Sequence, residues 1–228
     1  MPERAILMMA YGSPESLDDM PAYLKDIRGG RPMSAAFVEE FRGRYAQIGG
    51  KSPLNERTLE QARETEALLR TRGHDVAVYV GMRHWMPWIR DAVARMHNDG
   101  VRDAVSIVMA PHYSKMSIGR YWSKLEEAQE EVGSRIRFSP VDSWCRQPRL
   151  LDAQEDAIRA AMLKFHADTR GKVKLVFSAH SLPARLLDMG DPYDEELKGN
   201  ARALAERLDH SDWMFSYQSA AQTGEPWL

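Results

Sequence analysis

Apolar runs of strand type recur along the chain, and each is separated from the next by a stretch whose apolar residues fall at helical spacing. Residues 5–10, 76–80, 104–110, 136–141, 174–178 and 213–217 are predicted strands. Several are apolar almost throughout, as strands covered on both faces should be. Between them, 35–47 carry Phe37, Val38, Phe41 and Tyr45 on one stripe, and 58–71 carry Leu59, Ala62, Leu68 and Leu69. Ile89, Ala92, Val93 and Met96 mark a helix over 88–98, and Leu151, Ile158, Ala161, Met162 and Phe165 mark another over 150–165. Gly100 and Gly133 fall where helices should end. Strand alternating with helix points to α/β architecture with parallel sheets. The order of elements divides the chain into a lobe at 1–147 and a second lobe at 148–228, opened by a linking helix.

Charge and composition remove several classes of function. A net charge of −2 gives no basic face for nucleic acid. Cys145 stands alone, so neither an internal disulfide nor a four-cysteine iron–sulfur site can form. The N-terminus lacks the signal-peptide pattern, and no run approaches the ~20 apolar residues of a membrane span. A cytoplasmic, monomeric protein is expected. The sequence Gly49-Gly50-Lys51-Ser52 lacks the spacing of a phosphate loop, and no strand is followed by a Gly-x-Gly-x-x-Gly turn. The 13 methionines are read as core filler.

What remains is the chemistry at the strand ends. Open parallel sheets bind ligands past their carboxyl edge. The run at 176–183 delivers His180 there, a proton acceptor near neutral pH and a competent metal ligand. Taken singly, a histidine at a turn is more often structural. Tyr11 follows the first strand, and a phenolate can serve as an axial iron ligand. Arg28 and Arg31 flank Gly29-Gly30, and arginine forks suit carboxylates. Arg44 and Tyr45 precede a glycine pair and Ser52, whose hydroxyl can hold a carboxylate while starting the next helix. Further clusters are His112 to Ser114 with Ser117 to Trp122, which includes Tyr121; Gly190 to Tyr193; and Gln218-Ser219 with Gln222, Thr223 and Trp227. His84 and His112 remain open between structural and functional roles. Together these residues describe an aromatic crevice with a cationic rim, suited to a flat, hydrophobic ligand that carries carboxylates.

In their order, these stretches resemble ferrochelatase. The resemblance is carried by Met9-Ala10-Tyr11-Gly12-Ser13-Pro14, Tyr45 to Leu54, Gly81-Met82-Arg83-His84-Trp85, Ala110-Pro111-His112-Tyr113-Ser114, Ser178-Ala179-His180-Ser181-Leu182-Pro183 with Gly190-Asp191-Pro192-Tyr193, and Gln218-Ser219 with Pro226-Trp227-Leu228. It covers the whole chain and is closest to the branch that acts on coproporphyrin III. It implies two similar doubly wound lobes with a porphyrin between them, the second lobe incomplete. Ferrous iron and porphyrin would be substrates, with no prosthetic group. His180 matches the family's essential histidine, both catalytic and metal-handling, and Tyr11 the residue axial to product iron. Arg28, Arg44, Tyr45, Ser52 and Tyr121 match porphyrin contacts, while Gly29 stands where relatives carry another arginine. The family's metal-site glutamate lies beyond the Pro-Trp-Leu motif, so the chain is expected to be the N-terminal portion of a longer protein. Two other readings are a non-catalytic tetrapyrrole-binding fragment and a chelatase for another divalent metal such as cobalt.

Overall fold

The computed structural model describes residues 3–220 and 224–228, and they form two compact units. The first takes the chain up to Ala110 together with Tyr121–Val141; the second takes Pro111–Arg120 and everything from Asp142. Residues 111–120 and 142–147 therefore go with the later unit although they precede the linking helix in sequence. The cause is local: Asp191 accepts from Ser114 Oγ and Lys115 N, Glu196 accepts from Tyr113 N and Ser143 Oγ, and Trp144 N donates to Pro111 O.

In chain order the first unit contains β1 (Arg4–Ala10), α1 (Met20–Ile27), α2 (Ala35–Gln47), α3 (Leu54–Thr71), β2 (Ala77–Met82), α4 (Ile89–Asn98), β3 (Asp103–Val108), most of α5 (Ile118–Val132), and β4 (Arg137–Val141). Its four strands pair in parallel in the order β2-β1-β3-β4. Met8, Ala10, Val80 and Met82 pack with Ala62 of α3. Successive strand residues face opposite ways. Gly81 accordingly turns to the other face, where Ile89 and Ala92 of α4 lie against it. Helices thus cover both faces, and Leu7 and Met9 of β1 have no exposed surface. β4 lies at the sheet edge, where Pro140 leaves no central ladder bond unmade.

The second unit holds α6 (Pro148–Met162), α7 (Ala167–Arg170), β5 (Leu175–His180), α8 (Tyr193–Arg207) and β6 (Trp213–Gln218). β5 and β6 pair in parallel from Leu175↔Trp213 to His180↔Gln218. The two units share parallel pairing but differ in size. The expectation of strands covered on both faces holds for β1 and not for β5, which alternates. Val176 and its register partner Met214 are 58% and 45% exposed. His180 is accordingly the last residue of the strand, on its open face. No helix among the described residues is long and apolar enough to cross a membrane.

Gly81 tests the packing of α4 on the sheet. A Cβ there would sit 2.8 Å from Ile89 Cα, a backbone atom that cannot step aside cheaply. Gly81→Ala is expected to cost about 1–3 kcal/mol in denaturant unfolding. In α2, a Cβ on Gly43 meets nothing within 4 Å. Gly43→Ala should gain about 0.5–1 kcal/mol of helix propensity.

Candidate active site

In the order β2-β1-β3-β4 the crossover from β1 runs out to β2 while the crossover from β3 runs the other way to β4, and the crevice of such a sheet opens between β1 and β3. Tyr11, Gly12 and Ser13 are the residues that β1 emits at this switch point. Gly12 has φ of 85°, and a Cβ on it would lie 2.9 Å from both Met82 Cβ and Trp85 N, so only glycine fits. The chain after β2 continues alongside: Arg83 N donates to Ala10 O at 2.9 Å and His84 N to Tyr11 O at 2.8 Å. This brings the His84 ring to 4.5 Å from that of Tyr11, centroid to centroid. His84 Nδ1 is 2.7 Å from the Asp26 carboxylate. Burial holds His84 below the usual histidine range, outweighing the Asp26 contact. The ring is therefore neutral at pH 7, and the contact is an Nδ1–H hydrogen bond to carboxylate rather than an ion pair.

Tyrosines gather around this turn. Tyr23 donates to Gly12 O at 3.0 Å, and the Tyr45 hydroxyl lies 3.2 Å from Ser13 Oγ. Asn55 brackets Ser13, accepting from its N–H at 3.0 Å and donating to its carbonyl at 2.7 Å. The Arg83 guanidinium stands 5.3 Å over the ring of Tyr121, which is buried. Tyr11 is 39% exposed, yet desolvation pushes its phenol above the usual range, with Arg83 opposing. Burial raises Tyr23 and Tyr121 likewise. All three are neutral phenols at pH 7, so Tyr11 becomes a phenolate only when a strong positive charge approaches it.

The two predicted arginines share one support. Arg28 lies 5.2 Å over the Phe37 ring and Arg44 lies 4.8 Å over Phe41, and the two phenylalanine rings are 4.9 Å apart on α2. Arg44 also bonds Glu40 at 2.5 Å. The guanidinium groups are exposed, held by stacking that costs them no hydrogen-bond donor. Ser52 accepts from Leu54 N at 3.2 Å and stands one residue ahead of Pro53, the N-cap of α3.

In the second unit, His180 ends β5 opposite Gln218. Its Nδ1 lies 2.6 Å from Ser181 O. A carbonyl can only accept, so Nδ1 carries the hydrogen and Nε2 is the basic nitrogen of the neutral ring. Tyr193 donates to His180 O at 3.0 Å, and Ser181 N donates to Gln218 O at 2.7 Å. Trp227 forms a bridge with Pro183. Gln222 and Thr223 lie outside the described residues. His112 is held below the usual range by burial, and its Nε2 meets no hydrogen-bond partner among the described residues. Those residues include no group of three His, Cys, Asp or Glu able to hold a metal ion.

The structure thus brings Tyr11, Tyr45 and Tyr121 into one cluster, sets Arg28 and Arg44 on a common ledge, and leaves Ser52 at a helix start. The sequence reading missed the Asp26–His84 bond, the Asn55 bracket and the Tyr193 bond to His180. Asp26 and His84 are separated by so much chain that no local pattern joins them. Tyr193 was visible only as part of a turn.

The ferrochelatase family model matches residues 3–228. The chain belongs to the ferrochelatase family. A ferrochelatase from Deinococcus radiodurans is 44% identical over 225 residues, which cover 98% of this chain and 71% of that protein. One from Herpetosiphon aurantiacus is 42% identical, with 74% of its length covered. A coproporphyrin III ferrochelatase from a Geobacillus species is 37% identical, with 72% covered. The chain is therefore a lyase of the ferrochelatase type, and its reaction is metal insertion into a porphyrin, with ferrous iron and porphyrin as substrates.

The neutral state of His84 has a pH consequence. Its folded pKa lies below the ordinary 6.5, so in that window the unfolded chain binds more protons than the folded one. Stability contributed by His84 is full above the window and lost as pH falls through it, and His112 acts in the same sense. The unfolding midpoint should decline as pH drops below about 6.5. Asp26→Asn should move the His84 titration, followed by NMR, lower still; an upward shift contradicts the assignment.

Proposed function

We propose that the protein inserts ferrous iron into coproporphyrin III and that His180 accepts pyrrole protons and handles the incoming iron. The observation that carries this reading is the His180 imidazole at the carboxyl edge of β5, with Nδ1 committed to Ser181 O and Nε2 left as the basic nitrogen. A neutral imidazole nitrogen is both a proton acceptor at working pH and a ligand suited to Fe(II). Metal insertion requires two pyrrole protons to leave as the ion enters a stiff ring. A site helps by gripping the ring out of plane, with the strain drawn from contacts remote from the metal.

Arg28 and Arg44 supply such contacts in this reading. Coproporphyrin carries a propionate on every pyrrole, where protoporphyrin has vinyl groups on some, so a paired guanidinium ledge favours the former. The Geobacillus relative, named for coproporphyrin III, points the same way. Tyr45, Ser52 and Tyr121 are the further porphyrin contacts. Tyr11 is the axial oxygen donor to product iron, ionising as the metal arrives and not before.

His180→Ala should abolish iron insertion while porphyrin binding, followed by absorbance, persists; insertion at an unchanged rate removes the role. Arg28→Ala and Arg44→Ala should each weaken coproporphyrin III binding roughly tenfold, the scale of a charge-assisted hydrogen bond, and protoporphyrin IX binding less. Equal losses for both porphyrins would assign the specificity elsewhere.

A further inference from the structure

We infer that Tyr193 is the positioning residue of His180, fixing through the main chain the tautomer that presents Nε2 to its reactants. The inference rests on the role of His180 proposed above and names the group that keeps that imidazole ready. Its basis is the peptide between His180 and Ser181. The carbonyl end of that peptide accepts from the Tyr193 hydroxyl at 3.0 Å, and its N–H end donates to Gln218 O at 2.7 Å. With both ends held, the plane cannot rotate. The next carbonyl along, Ser181 O, is therefore kept where His180 Nδ1 reaches it at 2.6 Å. Without the Tyr193 bond, one end of the plane is loose. Ser181 O can then swing away, and the neutral ring is free to exchange its hydrogen between nitrogens.

Tyr193 is itself placed. It opens α8, and its N–H donates to Asp191 Oδ1 at 3.1 Å. Asp191 is buried, and its other oxygen accepts from Ser114 Oγ at 3.0 Å and Lys115 N at 2.8 Å. A chain of hydrogen bonds thus runs from Ser114 through Asp191 and Tyr193 to the His180 carbonyl, all inside the second unit. Tyr217 offers the control. Its hydroxyl donates at 2.6 Å to Asp194 and is not a link in that series of hydrogen bonds.

The test is a long-range 1H–15N spectrum of the histidine rings in the 15N-labelled protein, joined to iron-insertion kinetics. The wild-type protein should show His180 with Nδ1 protonated and Nε2 unprotonated. Tyr193→Phe, which keeps the ring and removes only the hydroxyl, should give averaged shifts for the two nitrogens. It should also lower kcat roughly three- to tenfold, the effect of one hydrogen bond, with porphyrin KM unchanged. Asp191→Asn should shift the His180 signals in the same direction, and Tyr217→Phe should leave both readouts at wild-type values. A wild-type His180 spectrum in Tyr193→Phe overturns the inference, whatever the rate. His180→Ala, assayed alongside, separates the two claims: full activity there removes the catalytic role, whereas an inactive His180→Ala beside an unchanged Tyr193→Phe removes the positioning role alone.

Discussion

β1 hydrogen-bonds to β2 along one edge and to β3 along the other, in parallel on both sides, so the chain must cross the sheet between each of these strands. Those crossings supply the helices that cover both faces, and they bring every strand's carboxyl end to a single edge. Because the crossovers that leave β1 and β3 run in opposite directions, a crevice opens beside the point where β1 ends. Tyr11 emerges there. Gly12 is needed because the turn passes within van der Waals distance of Met82 and Trp85, and Tyr23, Tyr45 and Asn55 bond into the turn that results. Central pairing of one strand thereby sets the place, the backbone angle and the neighbours of the tyrosine cluster.

Within that cluster, burial decides protonation. Tyr11, Tyr23 and Tyr121 are all pushed toward the neutral phenol, and His84 toward the neutral imidazole, each by desolvation first. Arg83 is the one charge that pulls Tyr11 and Tyr121 back. Neutral polar rings can meet a flat apolar ligand without stripping water from bare charges. The guanidinium groups of Arg28 and Arg44 stand apart on the phenylalanines of α2. In the proposed reading, apolar grip and ionic recognition fall to separate elements.

The strands were legible as short apolar runs bounded by turn residues, and all six predicted runs became strands within a few residues. Helix α2 follows its stripe from Ala35 to Gln47 as read. Four helices escaped notice: α1, α5, α7 and α8. In α5 the buried Ile118, Tyr121, Leu125 and Ala128 do fall at helical spacing, but the aromatic and hydroxyl residues at its start drew the reading toward a ligand edge. In α8 the buried stripe includes Asn200, whose amide donates to Cys145 O, so a hydrophobicity pattern understates it. Site residue types were legible as strand-end punctuation. Their bonds were not, since Asp26 to His84 and Tyr193 to His180 depend on where the chain returns rather than on any spacing along it.

The rings of His84 and His180 are held by different acceptors. Both histidines have Nδ1 occupied, which leaves Nε2 as the nitrogen without a hydrogen in the neutral ring. His84 gives its Nδ1–H to a carboxylate, which adds a negative charge beside a buried ring and so favours the imidazolium that burial resists. His180 gives its own to a main-chain carbonyl one residue on. A carbonyl fixes the tautomer without adding a charge, so the ring can take a proton or a metal ion and pass it on without a resident anion holding it. The cost is mobility, because a neighbouring carbonyl moves with every rotation of the chain that carries it. A clamp on the adjacent peptide removes that freedom, and the Tyr193 hydroxyl and the Gln218 carbonyl together make one.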